Sequence, residues 1–202
     1  MTTVKWTEGW RLFWLLTLAL AAMACGLLVA TGGGTDGYRL VIRATARTSL
    51  ILFLAAFAAS AAARLWPGAF THWLRRNRRP FGVAFAMSHL IHLAAIITFW
   101  QSDPATFWTL SNKGSIVSGG IAYLFIAALA ATSFDTIVRM IGPKAWGWLH
   151  RAGVWFIAIS FIFTNGKRIP LNAVYALPVA LVLAVIAMRI AARKTPRVAA
   201  AA

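Results

Sequence analysis

The sequence predicts an all-α integral membrane protein, a bundle of six transmembrane helices with both termini in the cytoplasm. Three observations predict it. First, 60% of the 202 residues are apolar and only 12% charged, with a mean hydropathy of +0.74; soluble domains run at about 45–50% and about 25%. Second, the charge is one-sided, with 20 Lys and Arg against four acids (Glu8, Asp36, Asp103 and Asp135) and a net charge of +16. Third, these charges lie in short clusters between long apolar runs, which points to a membrane surface rather than to nucleic acid. The single cysteine, Cys25, excludes an internal disulfide and a CxxC site. No length remains for a second soluble domain, so residues 1–202 read as one transmembrane domain.

The runs lacking Asp, Glu, Lys and Arg are 12–35, 48–63, 80–102, 114–134, 152–166 and 169–188. A bilayer core about 30 Å thick takes roughly 20 helical residues. The first, third, fourth and sixth runs suffice as they stand. The second holds only 16 residues, but Arg47 and Arg64 bound it, and long Arg side chains snorkel to the headgroups. Leu65 and Trp66 continue its apolar character. The fifth becomes long enough if it begins at Trp146 and takes in His150 and Arg151. The expected helices are thus about 10–31, 44–65, 81–100, 115–134, 146–163 and 170–190.

Nearly unbroken Ala/Leu-rich stretches such as 12–23 suit helices, not the alternating strands of a barrel. The first run far exceeds the apolar core of a signal peptide and reads as a retained helix. Trp6, Trp10, Trp66, Trp73, Trp100, Trp108, Trp146 and Trp148 cluster at predicted span ends, as an interfacial belt requires. The tail beyond Arg197 is expected to fray.

Orientation follows from the basic residues. Six spans put both termini and the second and fourth loops on one side, with Lys5, Arg11, Arg64, Arg75, Arg76, Arg78, Arg79, Arg139, Lys144, Arg151, Arg189, Arg193, Lys194 and Arg197. Arg39, Arg43, Arg47, Lys113, Lys167 and Arg168 fall on the other. Fourteen against six places the termini in the cytoplasm.

No phosphate-binding loop and no paired carboxylates occur. Gly32-Gly33-Gly34 reads as a turn, and His72 as a solvated or headgroup-facing side chain. Every acid sits at a span end or in a loop, which weakens proton-pump and ion-coupled transport readings. The remaining histidines stand out. His89 and His92, three residues apart, share one face of the third span, and His150 lies near the start of the fifth. Ionisable groups inside a membrane mark function. Three readings of these residues stand: haem held between imidazoles on two helices, an interhelical hydrogen-bond network, or another metal or a proton path. Zinc and copper fit poorly, because only His is on offer. Arg151 reads either as a partner for haem propionates or as a snorkelling cation.

Two stretches carry a family resemblance. Arg78-Arg79-Pro80-Phe81-Gly82-Val83-Ala84-Phe85, leading to Ser88-His89-Leu90-Ile91-His92, resembles the third helix of ferric reductase-like transmembrane proteins, in particular their bacterial YedZ/MsrQ branch. Ala131-Thr132-Ser133-Phe134 and Gly142-Pro143-Lys144-Ala145-Trp146-Gly147-Trp148-Leu149-His150-Arg151 resemble that branch's Thr-Ser, Trp and Leu-His-Arg signature. The resemblance covers roughly 35–190 and implies b-type haem between the third and fifth helices, moving electrons across a bacterial inner membrane. It implies His92 and His150 as the iron ligands; His89 lacks a firm counterpart in the pattern, but depth along the helix puts it closer to the level of His150 and keeps it as the alternative to His92. The family's second fifth-helix His falls on Phe163, so the resemblance implies one haem b and a lost or rebuilt outer site.

The chain ends shortly after the sixth span, without the flavin and nicotinamide domain of other members. The resemblance therefore implies a separate electron donor (a flavoprotein, a bound flavin such as FMN, or membrane quinol) and an acceptor that the sequence does not name. The alternative is a haem-free scaffold or accessory subunit, which the Phe at 163 motivates; a small-solute transporter is least favoured, for lack of a polar path. The bilayer and a separate redox protein are the expected partners, with no nucleic acid.

Overall fold

The computed structural model describes residues 7–195. Lys5, Trp6, Arg197 and the tail beyond it, which entered the charge count, the aromatic belt and the expectation of fraying, lie outside the described residues. The helices are α1 (Gly9–Ala30), α2 (Gly34–Leu65), α3 (Ala69–Arg76), α4 (Arg78–Ser102), α5 (Pro104–Leu110), α6 (Lys113–Ala131), α7 (Asp135–Gly166) and α8 (Ala176–Lys194), the last entered through a 3₁₀ turn over Ala173–Tyr175. Six of them, α1, α2, α4, α6, α7 and α8, are long and apolar enough to cross a membrane.

Two of these helices start well before their apolar runs. α2 begins at Gly34, ten residues ahead of the expected 44. Gly32, Gly33 and Gly34 have φ of 67°, 75° and 71°, a left-handed run that suits glycine and reverses the chain at once. The Gly33 N–H returns to the Leu28 carbonyl at 2.8 Å. The new helix carries Asp36 in its first turn, where it complements the helix dipole, and Asp36 pairs with Arg39 at 3.3 Å. Charge ends an apolar run; it does not end a helix. α7 begins at Asp135 and is interrupted at Gly142 (φ 79°, ψ 158°), after which Pro143 opens the membrane-spanning part. Proline fits there because a first-turn residue needs no N–H partner.

α2 is the axis of the bundle. It packs most extensively on α4 and also on α8, α1 and α3; α6 bridges α4 and α7, and α7 reaches α8. Small residues permit the close approaches: Ala59 on α2, Ala84 on α4 and Ala158 on α7 are fully buried. On α7, a Cβ at Gly153 would lie 3.0 Å from Leu129 and 3.1 Å from Phe125 of α6. Aromatic rings fill the middle, with Phe53 against Phe57, Phe85 and Phe161, and Phe57 edge-on to Trp155.

One end of the bundle gathers the start of α1, the end of α2, α3 and the end of α8. Buried Asn77, between α3 and α4, accepts from the Gly9 N–H at 2.8 Å and donates to the Trp73 carbonyl at 2.9 Å. The Trp73 indole donates to Thr7, Arg76 pairs with Glu8, and Arg64 donates to the Thr195 carbonyl. At the other end Asp103 caps α5, its carboxylate accepting from the Thr106 N–H at 3.0 Å.

Candidate functional site

His89 and His92 lie on α4 where that helix faces α2, α6 and α7. Their rings are 5.7 Å apart. Around His89 stand Phe85 (4.6 Å between centroids), Tyr123 of α6 (5.8 Å) and Phe161 of α7 (6.3 Å). Its Nδ1 turns toward the Phe85 carbonyl one turn back without a hydrogen bond of normal geometry, and the Tyr123 hydroxyl beside it is buried without a partner.

His92 is held differently. Its Nδ1 lies 2.9 Å from Oγ1 of Thr45, a fully buried residue of α2. That hydroxyl has one proton, and it also lies 2.6 Å from the Val41 carbonyl and 3.2 Å from the Ile42 carbonyl. Carbonyls only accept, and the shortest contact of the Thr45 hydroxyl directs its proton to Val41; in that arrangement Oγ1 accepts from His92, whose Nδ1 carries the proton and whose Nε2 keeps a lone pair. A donor bond at one ring nitrogen is the usual means of orienting a metal-ligating imidazole. Ser88, one turn before His92, completes a buried polar seam between α2 and α4: it accepts from Ser49 at 2.8 Å, lies 3.3 Å from Thr48, and donates to the Thr45 carbonyl at 3.3 Å. In apolar surroundings such a seam fixes the register of two helices.

His150 is not brought to this cluster. Phe161, the α7 residue at the level of His89, comes eleven positions after it, about 16 Å along the axis at 1.5 Å per residue. A second count agrees, because the cations acting on His150 are Arg78, at the start of α4, and Arg189 of α8. Arg78 precedes His89 by a further eleven residues. His150 stacks on Trp146 at 5.2 Å and 15°, and the Trp146 indole donates to the Thr132 carbonyl at 3.3 Å. The Thr, Trp and His of the second signature thus form one chain near the end of the bundle that carries α3. The expectation of His92 and His150 facing each other across one iron meets a physical obstacle: each sits at a different depth.

Arg151 is exposed and its guanidinium folds back along α7 beside Gly147, while Arg189 takes the inward position. Phe163 is 72% exposed and points away from the histidines. Phe161, two residues earlier and on the face of His150, occupies the interior. His72 is exposed on α3. Among the described residues, no group of three or more His, Cys, Asp or Glu is placed to hold a metal ion.

Thr45, Tyr123 and Phe161 went unnoticed in the sequence, and Arg189 counted there only toward orientation. Only Thr45 left a signal there, since Thr45, Thr48 and Ser49 share a helical face in an otherwise apolar span.

The sequence model for "Ferric reductase like transmembrane component" matches residues 42–161, more than half of the chain and all three histidines of interest. The chain belongs to this family. Within the ferric reductase-like family it is similar to the protein-methionine-sulfoxide reductase heme-binding subunit MsrQ of Ralstonia nicotianae, 31% identical over 139 residues, 65% of this chain and 63% of that protein. The MsrQ proteins of Azospira oryzae and Rhodospirillum rubrum are each 33% identical, over 119 and 103 residues, covering 55% and 50% of this chain and 51% and 49% of theirs. The chain thus spans between half and two thirds of the length of the curated relatives it matches. No solved structure is significantly similar to it.

Proposed function

We propose that this ferric reductase-like protein is a membrane haem-binding subunit that relays single electrons between a separate donor (a flavoprotein, FMN or quinol) and a redox partner protein. It would sit in a bacterial inner membrane with its termini in the cytoplasm. The observation that carries the reading is the 2.9 Å contact of His92 Nδ1 with the buried Thr45 hydroxyl, which, with the ring proton on Nδ1, leaves Nε2 as an unprotonated donor inside an apolar bundle. That is the donor a haem iron takes. A bound haem b would supply the reversible one-electron chemistry of iron.

This chain's own residues do the rest. Thr45 accepts a hydrogen bond from Nδ1–H and orients the ring, while Phe85, Tyr123 and Phe161 pack around the neighbouring His89 and keep its surroundings apolar. Among the described residues His92 is the imidazole at this level that α2 orients, and His150 would join it in holding a haem only if haem binding moved α7 along α4. The separation of His92 from His150 favours one rival, a haem-free scaffold descended from the same family.

The test is an absorption spectrum of the detergent-purified protein, oxidised and dithionite-reduced, with a pyridine haemochrome count. A b-type spectrum near one haem per chain supports the reading; a colourless protein, expressed with ample haem, makes it a scaffold. His150→Ala then decides the ligation. Retained haem with an unchanged spin state excludes His150 as a ligand, and loss of haem shows that α7 repositions.

A further inference from the structure

At the end of the bundle that carries α3, the last turns of α2 and α8 border an open cavity of about 160 Å³ lined by Ser60, Ala61, Arg64, Arg189, Ala192 and Arg193. Three of its six lining residues are arginines. A fourth, Arg78 of α4, donates to the Ser60 hydroxyl at 3.2 Å. Asp36 pairs with Arg39, Glu8 with Arg76 and Asp135 with Arg79, and Asp103 caps α5 at the other end, so among the described residues no acidic side chain is seen on this cluster. Arg189 is anchored without being neutralised: its guanidinium lies 4.1 Å over the Phe57 ring, Nη1 donates to the Phe57 carbonyl, and Nε is buried with no partner. Carbonyls at the ends of α2 and α8 favour nearby cations, but they are dipoles and leave the net charge in place.

Like charges crowded beside an apolar wall repel one another strongly unless an anion joins them. We propose that this cavity is a binding site for the phosphate group of an acidic phospholipid, held by Arg189 and Arg193 with Arg64 at its rim. A lipid fits better than a soluble ion for two reasons. Ala61 and Ala192 give the cavity an apolar side, and Trp66 and Phe70 are 62% and 69% exposed at the same end, where aromatic rings mark the headgroup level. Planar guanidinium groups match phosphate oxygens in bidentate fashion.

The experiment uses the full chain in nanodiscs of phosphatidylcholine, with and without phosphatidylglycerol, followed by delipidation and native mass spectrometry of retained lipid. The wild type should retain phosphatidylglycerol selectively. Arg189→Gln with Arg193→Gln should weaken that retention tenfold or more, whereas Arg43→Gln with Arg47→Gln, an equal loss of charge elsewhere on α2, should not. Arg193→Gln alone, which leaves the Arg189 anchor in place, should give a smaller loss in the same direction and guards against misfolding of the double variant. Equal retention in all variants overturns the proposal. Displacement of the lipid by millimolar inorganic phosphate overturns the lipid as source. Loss of haem with unchanged lipid retention reassigns the arginines to haem carboxylates.

Discussion

Thr45→Val tests the link between α2 and the proposed haem ligand. The substitution keeps the volume of the side chain and removes its hydroxyl, so His92 Nδ1–H loses its acceptor at 2.9 Å. A buried donor left unpaired costs about 1–3 kcal/mol, and loss of an outer partner of a metal ligand typically costs about 10–100-fold in affinity. Those figures agree, since tenfold is about 1.4 kcal/mol. Haem retention after dilution should therefore fall by at least about tenfold. Without the hydrogen bond the imidazole is a poorer electron donor to iron, so the midpoint potential of the retained haem should rise. Thr45→Ser restores the acceptor and should restore both. The assay is a redox titration of the Soret band with a haem count on the same samples. If Thr45→Val keeps wild-type retention and potential while His92→Ala loses haem, Thr45 does not orient the ligand. If His92→Ala keeps full haem, His92 is not the ligand.

Asn77→Ala removes the bond that ties the start of α1 to the turn between α3 and α4 and the one that runs back to the Trp73 carbonyl of α3; the apparent melting temperature in detergent should fall, reflecting a loss of about 1–3 kcal/mol, and Asn77→Asp should recover part of it because its oxygen still accepts from Gly9. Gly153→Val places a branched side chain 3.0–3.2 Å from the side chains of α6; overpacking of this kind costs about 1–3 kcal/mol, read by the same melting assay, whereas substitutions at Gly26 or Gly119, which face open space, should cost far less. The Asp103 carboxyl is held below its ordinary value of 3.8 by its hydrogen bonds to Thr106, first the hydroxyl and then the backbone N–H, with Thr35 adding to them. A lowered carboxyl stabilises the fold above its ordinary pKa and ceases to as the pH falls through the lowered one. Amide exchange at Thr106 should therefore stay slow, after correction for its intrinsic pH dependence, down to pH 3.8 and quicken only below it, while Asp103→Ala should quicken it at every pH.

The sequence alone fixed what a bilayer demands. Lengths of uncharged chain set the number of spans, because unpaired backbone cannot sit in hydrocarbon, and the scarcity of intramembrane ionisable groups left His89, His92 and His150 as the chemistry to explain. Helix ends were less legible, since a helix is limited by hydrogen bonding and not by apolarity; α2 begins ten residues before its expected start because the Gly32-Gly33-Gly34 turn and the Asp36–Arg39 pair let it. Only tertiary structure could decide depth and facing. It set His92 against Thr45, forty-seven positions away. It turned Phe161 inward and Phe163 outward, and kept His150 near Arg78 and Arg189. Such choices depend on how one helix slides and rotates against another, a quantity set by the packed small residues and the Ser and Thr seam between α2 and α4, which no single stretch of sequence contains.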